Sequence, residues 1–283
     1  MSEGSESGVV LVERIDAVAV ITLNRPEVRN ALNGDLRSGL WAAMLAENDG
    51  DAAAIVLTGA DPAFCAGLDL KALASDGLAG TAPPSSSPAA SSSSSSSASS
   101  QASAEAGSGS LGSPIPALDK PLIGAINGVA VTGGLELALA CDFLIGSERA
   151  RFADTHARVG VMPGWGLTVA LPQTIGIRRA RQMSFTGNYV DALQALEWGL
   201  LNEIVSHDSL VERAVSLGND MGSIPPTSLA GIAQAYRVAA ATHDDQARAA
   251  ELDFSNEWAR SFDPAVFATQ REAIQARGKS QQS

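Results

Sequence analysis

Several residue types are scarce in this chain, and each scarcity excludes a class of protein. Two cysteines, Cys65 and Cys141, occur in 283 residues, and both lie inside apolar segments, where buried thiols are normal. The sequence therefore predicts no disulfide framework and a reducing compartment. The first residues, MSEGSESG, contain no basic or apolar signal region, and no uninterrupted apolar run reaches membrane length. These absences predict a soluble cytoplasmic protein with no membrane span.

Positive charge and histidine are also in short supply. The chain has 19 lysines and arginines against 31 aspartates and glutamates, which gives a net charge of −12. An acidic chain is repelled by a phosphate backbone, so the charge argues against nucleic acid as a partner. Of the three histidines, His207 and His243 lie in polar, turn-like surroundings without metal-ligand spacing. The sequence predicts no metal site.

The residues that are present favour a mixed α/β fold. Hydrophobic residues make up 45% of the chain, enough to bury a core as one or two domains. Strands are predicted at residues 9–13, 18–23 and 54–59, with a helix capped by Asn33 between the last two. The alternation resumes at Pro121, and no GxGxxG motif follows a strand. The pattern favours repeated ββα units over a doubly wound nucleotide-binding fold.

Residues 75–113 differ in composition from the rest of the chain. Serine, alanine, proline and glycine dominate this segment, which includes an unbroken serine run from Ser91 to Ser97. Almost nothing apolar is present to order the backbone, so the composition predicts a disordered insertion. It favours a low-complexity expansion without a role over a working lid.

The C-terminal third is predicted to be mainly helical. Helices are expected at residues 167–175, 178–186 and 191–198, the last capped by Asp191, followed by a strand at 201–205. A helix from residue 208 to 221 is broken by Ile224-Pro225-Pro226, and Thr227 is predicted to cap the next helix. That helix should end at Ala241, with further helices at 245–260 and 264–277. We therefore predict a core at residues 1–205 and a C-terminal helical part at 206–283.

The stretch from residue 120 to 166 carries the candidate chemistry. A buried strand at 122–126 ends in the turn Asn127-Gly128, and Gly133 and Gly134 fall where a helix should begin. Glycines at a helix start let an oxygen approach bare backbone amides. Glu136 follows within an apolar helix face, where a desolvated carboxylate has a raised pKa suited to proton transfer. The alternative is a glycine-rich helix start whose Glu136 reaches the surface.

Four segments together resemble the crotonase, or enoyl-CoA hydratase/isomerase, superfamily. They are NRPEVRNAL (24–32), FCAGLDLK (64–71), NGVAVTGGLELALACD (127–142) and PGWG (163–166), in the family's order. The resemblance covers nearly the whole chain outside the insertion. It implies a crotonase-like spiral of ββα units with a C-terminal helical domain, and an acyl-CoA thioester as substrate. It also implies no cofactor beyond the substrate's own coenzyme A, and a homotrimer or a dimer of trimers that the C-terminal part at 206–283 helps to form.

The resemblance also implies roles for individual residues. The backbone N–H groups of Leu68 and Gly133 would form an oxyanion hole around the thioester carbonyl. Because the chain is acidic, phosphate binding would depend on local cations such as Arg25, Arg29 and Lys71. The residues expected to contact the substrate or its coenzyme A are Val28, Arg29, Leu68, Asp69, Leu70, Lys71, Gly133, Gly164 and Trp165.

Two positions depart from the family pattern. Glu136 matches the first of two glutamates that hydratases use to position water, but the second falls on His156. An imidazole exchanges protons near neutral pH, so His156 is a candidate for the missing acid, with Glu136 as the base. Alternatively, His156 lines a pocket or pairs with Asp154. Trp165 replaces a small residue, and it either reshapes the acyl pocket or belongs to the core.

The sequence thus favours an acyl-CoA lyase, specifically an enoyl-CoA hydratase that adds water across the C2–C3 double bond. Two alternatives stay open because of His156. One is an enoyl-CoA isomerase, in which a single base moves a proton between carbons. The other is a catalytically silent acyl-CoA-binding protein that retains the oxyanion hole without a working acid-base pair.

Overall fold

The computed structural model describes residues 8–69, 113–261, 273 and 275–281. The predicted substrate-binding residues Leu70 and Lys71 lie outside the described residues. The predicted insertion at 75–113 also lies outside them, apart from Ser113. Most residues of the helix predicted at 264–277 also lie outside the described residues. Residues 275–280 are described and are helical.

The described chain alternates strands with helices. The strands are β1 (Val10–Ile15), β2 (Val18–Leu23), β3 (Ala54–Gly59), β4 (Ala63–Cys65), β5 (Leu122–Ile126), β6 (Val129–Val131), β7 (Phe143–Ser147), β8 (Arg151–Ala153), β9 (Val190–Asp191) and β10 (Glu203–Val205). The helices are α1 (Gly34–Asp49), α2 (Gly133–Leu139), α3 (His156–Val159), α4 (Leu167–Ile175), α5 (Ile177–Thr186), α6 (Ala192–Trp198), α7 (Leu210–Gly222) and α8 (Pro226–Ser261). Short 3-10 turns occupy Pro26–Val28 and His207–Ser209.

The strands form two sheets, and successive strands along the chain alternate between them from β3 to β8. The larger has the order β1-β2-β3-β5-β7-β10 and the smaller the order β4-β6-β8-β9. The chain enters the large sheet and then the small one three times in succession, as β3 then β4, β5 then β6, and β7 then β8. Strands β3, β5 and β7 pair in parallel in the large sheet, as do β4, β6 and β8 in the small one. The edge pairs β1–β2 and β8–β9 are antiparallel. This arrangement confirms the predicted α/β spiral of ββα units.

The central strands β2, β3 and β5 of the large sheet are buried on both faces, which explains their continuous apolar runs. On one face α7 packs against a cluster that includes Val56 and Ile123. On the other face α1 contributes Leu36 and Leu40 to the main core. Neighbouring residues along a strand point to opposite faces, so consecutive apolar residues are divided between these two cores.

Local signals in the sequence placed several elements correctly. The predicted hairpin is β1 paired with β2, and its turn holds Asp16 at a φ of 52°. The side chain of Asn33 caps α1 by accepting the backbone N–H of Leu36 at 3.0 Å. Asp191 likewise caps α6 through the backbone N–H of Gln194 at 2.9 Å. Such caps are local, so the sequence alone revealed them.

Several parts of the secondary structure were missed or predicted wrongly. Strands β4, β6, β8 and β9 have two or three residues each, too few to show a period, and they were missed, as was β7. The C-terminal helix α8 starts at Pro226, so Thr227 is not its cap, and it continues without the break predicted after Ala241. Within the expected gap, buried Asp244 accepts a hydrogen bond from Gln173 of α4 at 2.7 Å. This tertiary contact outweighs the weak helix propensity of the surrounding residues.

None of the helices in the described ranges combines the length and the apolar character that a bilayer crossing requires.

Gly134 provides a test of how α2 is seated on the small sheet. A Cβ atom at this position would lie 2.1 Å from the carbonyl oxygen of Cys65, a backbone atom of β4 that has no room to move. We expect Gly134→Ala to destabilise the protein by about 3 kcal/mol or more, because it overpacks a rigid contact. Chemical denaturation measures the change.

Gly231 of α8 is the matched control, since a Cβ there would meet no described atom within 4 Å. Gly231→Ala should stabilise the helix by about 0.5 to 1 kcal/mol. Equal stability of the two alanine variants would show that α2 is not held against β4 by this close approach.

Candidate active site

Glu136 lies on α2 and is buried, with 3% of its surface exposed. Its Oε1 atom accepts the backbone N–H of Gly164 at 3.2 Å and that of Trp165 at 2.9 Å. The PGWG turn therefore holds one oxygen of the carboxylate and leaves Oε2 to face other groups. The alternative in which Glu136 reaches the surface is wrong.

His156 begins α3 and lies between two buried carboxylates, with 4% of its surface exposed. Its Nε2 atom is 3.4 Å from Oε2 of Glu136, and its Nδ1 atom is 2.7 Å from Oδ1 of Asp154. The same Asp154 oxygen accepts the backbone N–H of His156 at 3.1 Å. His156 thus pairs with Asp154 and lines the pocket, as one sequence-based alternative predicted, and it also faces Glu136.

The electrostatics of this triad favour a charged imidazole. Burial alone would lower the pKa of His156, but the charge of Glu136 and the hydrogen bond to Asp154 outweigh it and raise the pKa to about 9. Burial would raise the pKa of Asp154, yet the hydrogen bond and charge of His156 bring it below its usual range. An imidazolium flanked by carboxylates is therefore the expected state at neutral pH.

Glu136 and His156 line a small cavity of about 70 Å³. Leu68 and Trp165 also line it, and α8 contributes Ser255 and Trp258. Trp165 packs against the main core as well, so it is both a core residue and part of the pocket wall. Sequence reasoning missed the α8 residues because nothing near residue 255 in the sequence indicates contact with a motif about ninety residues earlier.

The two residues whose backbone amides are predicted to form an oxyanion hole, Leu68 and Gly133, both lie just beyond the same end of the small sheet. Strands β4 and β6 are parallel and pair Cys65 with Ala130, and Leu68 and Gly133 each follow their paired residue by three positions. Leu32 bonds to the residues on both sides of Leu68, accepting from Asp69 and donating to Gly67. Because strand amides alternate in direction, the N–H of Leu68 points away from Leu32.

Gly133 is positioned by an unusual backbone conformation. Thr132, directly before it, has a φ of 54°, a left-handed value that costs a non-glycine residue roughly 1 to 3 kcal/mol. The hydroxyl of Thr132 is hydrogen-bonded to that of Thr155 at 2.6 Å, which ties the strained residue to the chain beside His156. A Cβ atom at Gly133 would lie 3.1 Å from the indole of Trp165. Gly133 therefore sits next to the pocket wall.

A larger cavity of about 410 Å³ adjoins the small one, since Leu68 lines both. Three further predicted contacts, Val28, Arg29 and Asp69, line it. Three basic residues that sequence reasoning missed also line it, and they are Arg158, Arg277 and Lys279. They come from two distant parts of the sequence, Arg158 from one and Arg277 and Lys279 from the other, so no single cluster of charge in the chain reveals all three.

Arg25 is one of the three cations expected to bind phosphate, but its side chain is paired with other groups of the protein. Its guanidinium pairs with Asp69 at 3.0 Å and also donates to the backbone oxygen of Ala31 at 2.5 Å. Both charged side chains of the pair are mostly buried. Arg25 therefore holds the loop that carries Asp69, and Arg29 is the predicted cation that reaches the cavity.

No group of three or more histidine, cysteine, aspartate and glutamate side chains is arranged to hold a metal ion within the described ranges.

The raised pKa of His156 predicts a pH-dependent contribution to stability. His156→Gln keeps a polar side chain but removes the titrating ring. Because the folded-state pKa is raised from 6.5 to about 9, the contribution of the imidazolium is complete below pH 6.5 and is lost as pH rises through about 9. The stability advantage of wild type over His156→Gln should shrink across that window in chemical denaturation. A difference that does not vary with pH would contradict a charged His156.

Comparisons with known proteins agree with this geometry. The sequence model of the family described as "Enoyl-CoA hydratase/isomerase" matches residues 13–265. The chain is 34% identical over 211 residues to the probable peroxisomal enoyl-CoA hydratase 1 of Arabidopsis thaliana, which covers 74% of this chain and 71% of the relative. It is 35% identical over 230 residues to the (E)-benzylidenesuccinyl-CoA hydratase of Thauera aromatica, covering 80% and 81%.

Solved structures give the same result. The crystal structure of an enoyl-CoA hydratase from Mycobacterium smegmatis matches with a TM-score of 0.75 and 42% sequence identity, over 90% of this chain and all of the other. A second, from Mycobacterium tuberculosis, matches with a TM-score of 0.74 and 39% identity, over 89% and 98%. The fold, the order of the motifs and the matched length agree, and this chain belongs to the enoyl-CoA hydratase/isomerase family.

Proposed function

We propose that this protein is an enoyl-CoA hydratase, a lyase that adds water across the C2–C3 double bond of an enoyl-CoA thioester. The observation that carries the proposal is the buried carboxylate of Glu136, fixed beside a pocket by two backbone amides and faced by His156. Glu136 is the base that takes a proton from water. His156 is the acid that supplies a proton to the substrate.

The thioester carbonyl binds at the backbone amides of Leu68 and Gly133. As water attacks C3, negative charge moves onto this oxygen, and amides aimed at it stabilise the enolate-like transition state. One such donor is typically worth about 3 to 4 kcal/mol. Because β4 and β6 are parallel neighbours, the two residues lie at one end of the small sheet, which supports this assignment.

The proton balance follows from the His156 triad. Water gives a proton to Glu136 and its hydroxyl to C3, while His156 gives the proton on Nε2 to C2. The neutral imidazole that results keeps its Nδ1–H hydrogen-bonded to Asp154, so its orientation does not change. Glu136 then returns its proton to Nε2 across the 3.4 Å contact, which restores the starting state. Hydration therefore needs no cofactor in this scheme.

The coenzyme A portion of the substrate occupies the larger cavity. Its phosphates carry negative charge, and the walls include Arg29, Arg158, Arg277 and Lys279. Two acids, Glu27 and Asp69, also line the cavity, and Asp69 is already paired with Arg25. The cavity is thus locally basic within a protein of net charge −12, which supports binding of an anionic substrate at short range.

Double-bond isomerisation is a second candidate, and one observation favours it. The close approach of Glu136 and His156 makes them one coupled acid-base unit, and such a unit also moves a proton between two carbons without water. The silent-binder alternative is less well supported, because both groups lie at the pocket with their partners in place.

Three further properties belong to the same proposal. Trp165 and Trp258 narrow the cavity beside Glu136, which suits a compact acyl group. The proposed homotrimer or dimer of trimers rests on the family resemblance. The large apolar side chains that the single chain exposes, among them Phe185, Leu193 and Tyr236, support association but do not set the number of subunits. A cytoplasmic location remains a prediction from the sequence.

Removal of the base tests the central assignment. Glu136→Gln keeps the shape of the side chain and an acceptor for the turn amides but cannot take a proton at neutral pH. We expect turnover of the preferred enoyl-CoA to fall by roughly 10²- to 10⁴-fold, while the dissociation constant for acyl-CoA stays within a few-fold. Exposed Glu148→Gln is the control and should behave as wild type. Undiminished turnover in Glu136→Gln would rule out Glu136 as the base.

Removal of the acid separates hydration from the alternatives. Hydration of crotonyl-CoA is followed by the fall in absorbance of the conjugated thioester. In His156→Ala this absorbance should stay constant, because hydration is abolished, while thioester binding stays intact. In wild type, hydration should decline as pH rises through about 9, because the donor is the protonated ring. His207→Ala, which alters a histidine paired with Asp61, is the control. If His156→Ala hydrates as well as wild type, the isomerase or silent-binder interpretation takes precedence.

A further inference from the structure

Glu251 is a buried carboxylate whose partners lie more than eighty residues earlier in the chain. It belongs to α8 and is 6% exposed. Its two oxygens accept the backbone N–H of Gly166, the backbone N–H of Thr168 at 2.6 Å, and the hydroxyl of Thr168. These groups form the N-terminus of α4, whose first backbone donors have no partner within the helix.

The capping position of α4 explains why an outside carboxylate is needed. Gly166 occupies that position and has no side chain with which to cap the helix. Its φ is +88°, a left-handed value that strains any residue with a Cβ atom. The backbone therefore favours glycine here, and the cap comes from Glu251, whose charge also complements the helix dipole.

The same turn holds the proposed catalytic base. Three consecutive amides, those of Gly164, Trp165 and Gly166, are divided between two buried carboxylates. The first two bind Glu136 and the third binds Glu251. Any shift of the turn that frees Gly166 also moves the two amides that orient Glu136.

We propose that Glu251 is a positioning residue for the reaction, which anchors the Pro163–Gly166 turn so that its amides hold Glu136 at the acyl pocket. The proposal rests on the proposed function of Glu136 as the base. Glu251 does not line the small cavity, so it acts through the turn and does not touch substrate. A displacement of a reacting group by about 1 Å costs on the order of 10²-fold in rate, which sets the expected size of the effect.

A second contact between the same two helices provides a matched control. Asp244 of α8 accepts a hydrogen bond from Gln173 of α4 at 2.7 Å and is buried like Glu251. Gln173 lies toward the other end of α4, away from the turn. Asp244→Ala therefore weakens the docking of α8 on α4 without removing a partner of Gly166 or Thr168.

The experiment compares full-length Glu251→Ala, Glu251→Gln and Asp244→Ala with wild type. In Glu251→Ala we expect kcat for hydration to fall by about 10- to 100-fold with KM within about 3-fold, because the coenzyme A cavity is unchanged. Glu251→Gln, which keeps one acceptor oxygen and the packing, should lie between. Asp244→Ala should keep kcat within about 3-fold of wild type even if it lowers the melting temperature.

Hydrogen-deuterium exchange gives a readout that does not depend on turnover. Amides in the peptide spanning residues 164–168 should exchange at least about 10-fold faster in Glu251→Ala and remain protected in Asp244→Ala. If wild type hydrates no enoyl-CoA but this exchange pattern is found, the anchoring of the turn stands and the proposed hydratase function fails.

Two results would overturn the proposal. One is wild-type kcat and exchange in the Glu251 variants. The other is an equal loss of kcat and protection in Asp244→Ala, which would mean that α8 acts by general docking. Should Glu251→Ala fail to fold, Glu251→Gln decides the matter by the same measurements.

Discussion

A buried carboxylate must be solvated by the protein, and the solvation of Glu136 is the constraint on which this structure depends. Two backbone amides of the PGWG turn bind one oxygen and His156 faces the other. Without them, burial would favour the neutral acid or force the side chain outward. The turn, α2 and α3 therefore have to meet at one place, and the parallel strands of the small sheet bring them there.

His156 changes the chemistry of the site relative to a pair of glutamates. Two carboxylates near each other repel, so one of them tends to stay protonated. Here an imidazolium lies between Glu136 and Asp154, and each neighbour raises its pKa. The charges alternate along the triad, so each buried charge lies beside a charge of opposite sign, which offsets part of its desolvation cost. In the proposed mechanism the proton donor and its acceptor are therefore adjacent before substrate arrives. The bond from Asp154 to Nδ1 leaves Nε2 facing Glu136.

The C-terminal helix α8 ties the active-site turn to the rest of the chain. Its Glu251 caps α4, its Arg248 fills the space beside Gly166, and its Trp258 donates to the backbone oxygen of Gly160 at 3.0 Å. The same helix contributes residues to the wall of the acyl pocket. Stability and site geometry are therefore linked at Glu251, because this docking contact of α8 also binds the amide of Gly166, next to the two amides that hold Glu136.

The sequence by itself determined the features that rest on local chemistry. The hairpin, the caps at Asn33 and Asp191, and the apolar strands follow from neighbouring residues, and the motif order identified Glu136 and His156 as the residues of interest. Tertiary structure decided that His156 contacts Glu136 and Asp154 together, and that α8 runs unbroken past Asp244. It also decided that Arg158 and Arg277 line the larger cavity and that Glu251 binds the start of α4. These contacts join distant segments, and a contact between distant segments leaves no periodic pattern in either of them.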